Sequence, residues 1–297
     1  MTTWVWVDGG GGRGGRDDAA PHPVAVPADE ARVPALDRGL LLGEGVYETL
    51  KVVAGTPFAL TRHLARLRRS AAVVGLEVPW DDGALRTACE AVVAAARGGG
   101  GWPGDLGRLR LTVTGGAAPL GPGAVAASPA LVVAAGPGTA WAGPARLATV
   151  PWTRNPDRPS RGAKVTSALD DVLALAEARR RDADEAVLAT PAGVLAEGTG
   201  SNVFVVLDGV LSTPSLATGC LPGVTRELVC ELVPVVPRDD LTLADLRRAD
   251  EAFVTSSTRD VQPVASVDGV ALPSVPGPVT EAVVAAFGSL QGSASDP

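Results

Sequence analysis

The chain has 297 residues, of which 46% are hydrophobic and 20% charged, and its formal net charge at pH 7 is −7. This length predicts two globular lobes, because an ordinary domain holds roughly 100 to 150 residues. A negative net charge without a block of basic residues argues against nucleic acid as a partner. Apolar runs such as Val203 to Leu207 are far shorter than the roughly 20 residues that cross a bilayer, so we expect no membrane association. The N-terminus shows no export segment, which predicts a cytoplasmic location.

The cysteine and histidine content argues against several kinds of site. Three cysteines, Cys89, Cys220 and Cys230, stand at no metal-ligand spacing, and their odd number provides no disulfide framework. With His22 and His63 as the only histidines, neither a metal site nor a histidine-based triad is expected.

The first half predicts a small α/β lobe over residues 1–136. A glycine-rich surface loop is expected at residues 10–23, and Thr61 is predicted to cap a helix. Alternation along Val46 to Val53 places Tyr47, Thr49 and Lys51 on one face of a strand. Further strands are predicted at residues 5–7, 108–114 and 130–135.

Residues 137–144, rich in glycine and proline, are predicted to link this lobe to a larger one at residues 145–297. Ser167 is expected to cap a helix with Leu169, Val172, Leu173 and Ala176 on one face, and Asp208-Gly209 predicts a two-residue hairpin turn. The tail is expected to fray from about Gly288. Other elements are predicted as strands at residues 145–151, 185–190 and 252–255 and as a helix from Val224.

A lysine and a glutamate stand out in the second lobe. Lys164 is one of two lysines in the chain and lies in an irregular segment directly before a helix. Glu197 opens a glycine-broken turn between two apolar strands, where a carboxylate can point into a cleft. Taken singly, each has a plain alternative as a solvated surface residue.

Several groups around these two residues could bind a phosphate. A helix start after Leu221-Pro222-Gly223 presents free backbone amides, and a hydroxyl-rich segment follows a strand near residue 255. An amine for an aldehyde, an acid for a ring nitrogen and donors for a dianionic phosphate are the requirements of pyridoxal 5′-phosphate. The candidate phosphate contacts are Arg66, Val224, Thr225, Ser257 and Thr258.

The ordered series of motifs resembles the fold type IV pyridoxal-phosphate enzymes along nearly the whole chain. This family comprises branched-chain aminotransferases, D-amino-acid transaminases, aminodeoxychorismate lyases and R-selective amine transaminases. The resemblance is carried by Asp37-Arg38-Gly39, Gly43 to Glu48, His63 to Leu67, Lys164, Glu197 to Phe204, Leu221 to Arg226 and Phe253 to Val264.

The resemblance implies a two-lobed α/β fold of the α+β type, with the cofactor between the lobes, and a homodimer. It implies that Lys164 carries the cofactor as a Schiff base, that Glu197 pairs with the ring nitrogen, and that Leu221 packs on the ring. The phosphate contacts then fall on the five residues named above, and Tyr47 matches an active-site tyrosine, whereas His63 is structural.

The group that binds the substrate carboxylate is left open. In D-amino-acid transaminases an arginine and a histidine follow the strand equivalent to residues 108–114, but residues 115–120 hold neither. Arg110 on that strand, or one of Arg154, Arg158 and Arg161 before Lys164, could replace them. The predicted substrate-binding residues are Tyr47, Lys51, Arg110 and Arg154.

The predicted function is a ping-pong transaminase that moves an amino group between an amino acid and a keto acid, with D-amino acids favoured. The alternatives are a 4-amino-4-deoxychorismate lyase, a branched-chain L-amino-acid aminotransferase and a non-catalytic cofactor-binding protein.

Overall fold

The structure is a computed structural model that describes residues 3–8, 24–99, 102, 104–125 and 128–297. The predicted surface loop at residues 10–23 lies outside the described residues. The chain divides into two compact units, Met1–Thr139 with Ala163–Ser167 and Ser295–Pro297, and Ala140–Gly162 with Ala168–Ala294. The lobe and linker boundaries drawn from the sequence stay a prediction.

The first unit is built on a sheet covered by two long helices. Its elements are β1 (Trp4–Asp8), β2 (Val26–Pro27), α1 (Arg38–Leu42), β3 (Gly45–Val53), β4 (Thr56–Pro57), α2 (Leu60–Val74), α3 (Asp82–Gly98), β5 (Leu106–Thr114) and β6 (Ala130–Pro137). Among the described residues, six strands pair in the order β2-β1-β6-β5-β3-β4, all antiparallel.

Strand β3 gives the sheet its two chemically different faces. As the sequence predicts, successive side chains alternate, so Val46, Glu48 and Leu50 are fully buried while Tyr47 and Thr49 on the other face are only partly buried. The buried face packs against α2 and α3 in one apolar core. Glu48 is therefore a carboxylate inside a face that is otherwise apolar.

The second unit contains a larger mixed sheet. Its elements are β7 (Ala145–Thr153), α4 (Leu169–Arg180), β8 (Glu185–Ala189), β9 (Leu195–Gly198), β10 (Asn202–Leu207), β11 (Val210–Pro214), a 3₁₀ turn (Leu216–Thr218), α5 (Val224–Leu232), β12 (Val236–Arg238), α6 (Leu243–Arg247), β13 (Glu251–Ser256), β14 (Asp260–Val267), β15 (Val270–Ala271) and α7 (Pro278–Ser293). In the described chain the strand order is β12-β11-β10-β13-β14-β7-β8-β9, with β15 on β14.

The turn between β10 and β11 confirms the predicted hairpin. Leu207 pairs with Val210, and the two residues between them, Asp208 and Gly209, have φ of 51° and 77°. Two left-handed residues in succession give the turn whose twist matches that of the strands, and asparagine, aspartate and glycine tolerate it best.

Both predicted helix caps are wrong. Helix α2 begins after Ala59, which has φ of 56°, and Thr61 instead donates its hydroxyl to Asp296 at 2.5 Å. Helix α4 begins after Ala168 without a side-chain cap, because the hydroxyl of Ser167 donates to the carbonyl of Gly43 at 2.9 Å. In each case a partner distant in sequence takes the hydroxyl.

The residues predicted to share one face of α4 lie on its exposed side. Leu169, Val172 and Leu173 are 69%, 60% and 50% exposed, whereas Ala174 and Ala178 are fully buried. The small alanine side chains let the helix lie close to β7 and β8, where Ala148 and Ala186 belong to the same small core.

Regular structure continues beyond Gly288, so the expected start of the tail is wrong. Helix α7 runs to Ser293, and Phe287 and Val283 anchor it with almost no exposed surface. Beyond the helix, the carbonyl of Ser295 accepts a hydrogen bond from the amide of Ala59 at 2.8 Å. In the described part of the chain no helix combines the length and the apolar character that a bilayer span requires.

Candidate active site

The segment around Lys164 is held by its backbone although it belongs to no helix or strand. The amide of Lys164 donates to the hydroxyl of Ser70 at 3.0 Å, and its carbonyl accepts from the amide of Tyr47 at 2.9 Å. The next residue, Val165, forms an isolated antiparallel bridge with Val46. These contacts fix the lysine between α2 and β3 within the first unit.

The side chain of Lys164 shares an aromatic ring with a second cation. Its Nζ lies 4.5 Å from the centroid of the Tyr47 ring, and Cζ of Arg110 lies 3.7 Å from the same centroid. Strands β3 and β5 produce this cluster, because Thr49 pairs with Arg110 and neighbouring residues on one face follow at every second position. Lys51 continues that face and is buried. The predicted substrate residues of the first unit, Tyr47, Lys51 and Arg110, thus share one face.

Arg66 is paired with Glu48 in the core beneath that face. Nε and Nη2 of Arg66 donate to the two oxygens of Glu48 at 2.8 and 2.6 Å, and Nδ1 of His63 lies 2.7 Å from Glu48 Oε2. All three side chains are buried. A planar guanidinium held at two points has a fixed direction, which suits it to orient a further anion.

The charges of this cluster are strongly coupled. Burial alone raises the pKa of Glu48, but the charge and hydrogen bonds of Arg66, with those of His63, outweigh it and lower the pKa to about 2. Burial lowers the pKa of His63, against the opposing effect of Glu48. The cluster is therefore an ionised Arg66–Glu48 pair with a neutral His63 at pH 7.

Glu197 of the second unit is held through both of its oxygens. Oε2 accepts the amide hydrogen of Leu221 at 2.8 Å, and Oε1 lies 2.9 Å from Nε of Arg154. Nη2 of Arg154 donates to Asp171 at 2.5 Å. Burial raises the pKa of Glu197, and the charge of Arg154 opposes this effect. A buried carboxylate with a raised pKa can share a proton with a basic nitrogen.

The loop before α5 presents backbone amides at a fixed place. Asn202 donates its side-chain amide to the carbonyl of Leu221 at 2.9 Å, and a Cβ added at Gly223 would lie 2.0 Å from Oδ1 of the same asparagine. Within the described residues, the amides of Val224 and Thr225 at the start of α5 have no acceptor, and no side chain caps this helix. A helix start of this kind binds phosphate well.

A buried glutamate orders the turn that follows Glu197. Glu185 accepts hydrogen bonds from the amide and hydroxyl of Thr199, from the hydroxyl of Ser201 at 3.1 Å, and from Arg259 at 3.0 Å. The amide of Ala186 donates to Glu185 as well, at 3.1 Å. Five donors on one carboxylate leave the turn little freedom, so the direction of Glu197 is set by its surroundings.

Ser257 and Thr258 lie where β13 ends and the chain turns into β14. Asn202 pairs with Thr255 in the sheet, so the end of β13 and the start of β10 are neighbours. The amide of Arg259 closes the turn on the carbonyl of Ser256 at 3.1 Å. The second unit thereby holds all of the predicted phosphate groups except Arg66, which lies in the first.

Comparison with known proteins decides the family. Residues 45–267 match the model of the family described as amino-transferase class IV. The chain belongs to the class IV aminotransferases. This class IV aminotransferase is 32% identical over 280 residues to a D-alanine aminotransferase of Bacillus licheniformis, covering 87% of this chain and 91% of that protein.

Two further relatives carry branched-chain names. A branched-chain-amino-acid aminotransferase of Pseudomonas aeruginosa is 30% identical over 275 residues, covering 87% of each chain. The crystal structure of a branched-chain aminotransferase from the thermophilic archaeon Thermoproteus uzoniensis, with norvaline, has a TM-score of 0.81 at 28% identity, covering 98% of this chain and 95% of that chain. The predicted fold type IV and the predicted enzyme class are thus confirmed.

The class IV aminotransferase depends on pyridoxal 5′-phosphate, and its residues fit that cofactor. The free amides of Val224 and Thr225 suit a phosphate, and the buried Glu197 carboxylate suits a ring nitrogen. Lys164 supplies a primary amine held by its backbone.

Three residues that shape the site escaped the sequence analysis as functional candidates. Glu48 was part of a quoted motif, and its position on the apolar face of β3 was the available signal. Ser70 and Asp171 carried no signal, because their partners Lys164 and Arg154 are brought to them only by the fold.

Proposed function

We propose that this class IV aminotransferase moves an amino group between a D-amino acid and a keto acid, with Lys164 as the cofactor's covalent attachment and as the base. The observation that carries the proposal is that Lys164 and Arg110 pack on the same Tyr47 ring. An amine that moves the α proton and a cation that can bind the carboxylate are thereby close neighbours. A small α-amino acid needs both.

Each proposed residue acts on a separate part of the reaction. When bound, the cofactor supplies an electron sink for the carbanion that forms after loss of the α proton. Lys164 would move that proton from the substrate Cα to C4′ of the cofactor, and Glu197 would pair with the ring nitrogen. The groups proposed to hold the phosphate are Arg66, Val224, Thr225, Ser257 and Thr258, with Leu221 against the ring.

Among the arginines, Arg110 is the preferred carboxylate ligand and Arg158 the second. Arg154 is already paired with Glu197 and Asp171, and Arg161 donates to the carbonyls of Leu216 and Ala217. Within the described residues, the guanidinium of Arg158 makes no hydrogen bond or ion pair, and its Nε is buried. A cation without a partner is available to an anionic substrate.

A branched-chain L-aminotransferase is the second candidate, favoured by the 30% identity to the Pseudomonas aeruginosa enzyme. Assays of the purified protein with D-alanine, L-leucine and 4-amino-4-deoxychorismate separate the candidates. We expect pyruvate from D-alanine with 2-oxoglutarate as acceptor. Turnover of L-leucine alone would favour the second candidate, and pyruvate from 4-amino-4-deoxychorismate alone would favour the lyase.

The homodimer stays a prediction of the family resemblance, and the cytoplasmic location stays a prediction from the N-terminal sequence. Light scattering tests the first directly, and we expect twice the mass of the 30.0 kDa chain. A single-chain mass at assay concentration would contradict it.

A further inference from the structure

Arg154 lies buried between two carboxylates of the second unit. Its Nη2 donates to Asp171 at 2.5 Å, and its Nε stands 2.9 Å from Glu197 Oε1 as an ion pair without hydrogen-bond geometry. Its backbone amide is tied to the carbonyl of Ala189 at 2.8 Å. An arginine already paired with two carboxylates is poorly suited to bind a substrate carboxylate as well, and its contact with Glu197 indicates another role.

We propose that Arg154 is a positioning residue that holds the Glu197 carboxylate in one direction and in its charged form, so that the cofactor's ring nitrogen carries the shared proton. This inference rests on the proposed function, because it takes Glu197 as the partner of that nitrogen. Asp171 takes part by fixing the far end of the guanidinium.

The geometry leaves Glu197 able to accept further hydrogen bonds. Leu221 holds Oε2 and Arg154 holds Oε1, whereas a carboxylate offers about four acceptor positions. Two anchors on different oxygens stop rotation about the terminal bond. The remaining lone pairs then point in a direction set by the protein rather than by the ligand.

Charge decides whether Glu197 or the ring nitrogen keeps the shared proton. Burial favours a neutral Glu197 and raises its pKa, and Arg154 is the largest opposing influence. The other groups that act on this carboxyl are Arg158, which lowers its pKa, and Asp171, which raises it. Burial raises the pKa of Cys220, and the charge of Glu197 raises it further. Without Arg154 the carboxyl would hold the proton itself, and the ring nitrogen would lose it.

A series of variants tests the inference without depending on turnover. Arg154→Met removes the charge, Arg154→Lys keeps the charge with different geometry, and Asp171→Asn removes the support of the guanidinium. Arg238→Met is the matched control, since Arg238 forms a solvent-exposed pair with Asp240. Carbon-13 labelling of glutamate follows the carboxyl titration in cofactor-free protein, and Glu197→Gln identifies the signal.

In cofactor-free protein we expect Arg154→Met to raise the pKa of Glu197 by about one unit or more. Arg154→Lys should restore most of that shift, Asp171→Asn should change it in part, and Arg238→Met should leave it unchanged. With 15N-labelled cofactor bound, the ring-nitrogen resonance of Arg154→Met should move toward the unprotonated position. If Arg154→Met does not fold, Arg154→Lys and Asp171→Asn still report on the ring nitrogen.

An unchanged Glu197 titration in folded Arg154→Met would overturn the inference, as would an unchanged ring-nitrogen resonance in both remaining variants. Failure of the proposed function is distinguishable, because it appears as absent turnover of every amino acid by the parent protein. The carboxyl titration in cofactor-free protein is independent of that result.

Discussion

Arg66 donates hydrogen bonds to both oxygens of Glu48 inside the apolar core of the first unit, at 2.8 and 2.6 Å. A bidentate pair in this environment is held more firmly than either partner would be in water. Removing one charge leaves the other buried and unpaired, which is the costly case.

We therefore expect Glu48→Gln to lower the free energy of unfolding by about 3 to 5 kcal/mol, measured by denaturant titration. Glu44→Gln is the matched control, because Glu44 forms a part-exposed pair with Arg38 in the same unit. Glu44→Gln should lower the free energy of unfolding by about 0 to 1 kcal/mol. Equal effects of the two substitutions would contradict a special role for the buried pair.

The difference between the parent and Glu48→Gln should depend on pH. Folding lowers the pKa of Glu48 from 4.5 to about 2. The stabilisation is thus fully present above the unfolded value and is lost as the pH falls from 4.5 toward about 2. A stability difference that stays constant across that window would show that the charge of Glu48 is not responsible.

Replacing Lys164 tests the site of covalent attachment. We expect Lys164→Ala to lower turnover by about 10²- to 10⁴-fold or more, since a positioned base contributes that much. Borohydride treatment of the parent followed by peptide mapping should find the cofactor on Lys164. The only other lysine in the chain is Lys51, so cofactor fixed there would refute the assignment.

Glu197→Gln should separate chemistry from cofactor retention. The substitution weakens a charged hydrogen bond worth about 1.5 to 3 kcal/mol, so we expect turnover to fall about 10- to 150-fold. Cofactor affinity should change much less, because the phosphate contacts are untouched. Single-turnover rates of both half-reactions, compared with equilibrium dialysis of the cofactor, measure the two effects; equal losses in both would count against this role.

The carboxylate ligand can be found by comparing acids with plain amines. We expect Arg110→Ala to raise KM for D-alanine about 10- to 150-fold through loss of a charged hydrogen bond, with little effect on R-1-phenylethylamine. Arg68→Ala, which breaks an exposed pair with Asp82, is the control. If Arg158→Ala alone raises KM, the ligand is Arg158, and an unchanged KM in both variants would exclude the two arginines.

Gly223 should tolerate no side chain. A Cβ there would lie 2.0 Å from Oδ1 of Asn202, which holds the loop before α5, whereas a Cβ at Gly200 would meet nothing within 4 Å. We expect Gly223→Ala to weaken cofactor binding by about tenfold or more, because the amides of Val224 and Thr225 shift. Gly200→Ala should bind the cofactor as the parent does. Identical cofactor affinities of the two variants would show that the amides of Val224 and Thr225 do not bind the phosphate.

The sequence predicted the elements that depend on local chemistry. Alternation along β3 and the Asp208-Gly209 turn are read from neighbouring residues, and the structure has both. Periodicity in α4 identified residues that share a face, but it could not say which face is covered. Burial of Ala174 in place of Leu173 depends on how closely the helix approaches the sheet.

Pairings between residues distant in sequence could not be predicted either, because they too depend on how the elements pack. Arg154 could be recognised as one of several arginines before Lys164, yet its partners Asp171 and Glu197 come from α4 and β9. From its charge alone, Arg154 could be predicted to bind a substrate carboxylate. Only the fold shows that two nitrogens of its guanidinium, Nη2 and Nε, face the carboxylates of Asp171 and Glu197.

The first unit is assembled from three separate stretches of the chain, and this affects its synthesis. Its last stretch, Ser295–Pro297, contacts the start of α2, where the amide and hydroxyl of Thr61 donate to Asp296, 235 residues away in sequence. The stretch that carries Lys164 also arrives only after the sheet of this unit has been made. A ribosome must therefore release the chain as far as residue 297 before the N-terminal unit can close, so folding through such long-range contacts should be slow. A fragment that ends at residue 139 would lack Lys164 and the bridge from Val165 to Val46. It would also lack the hydrogen bonds that Ser295 and Asp296 accept at the start of α2.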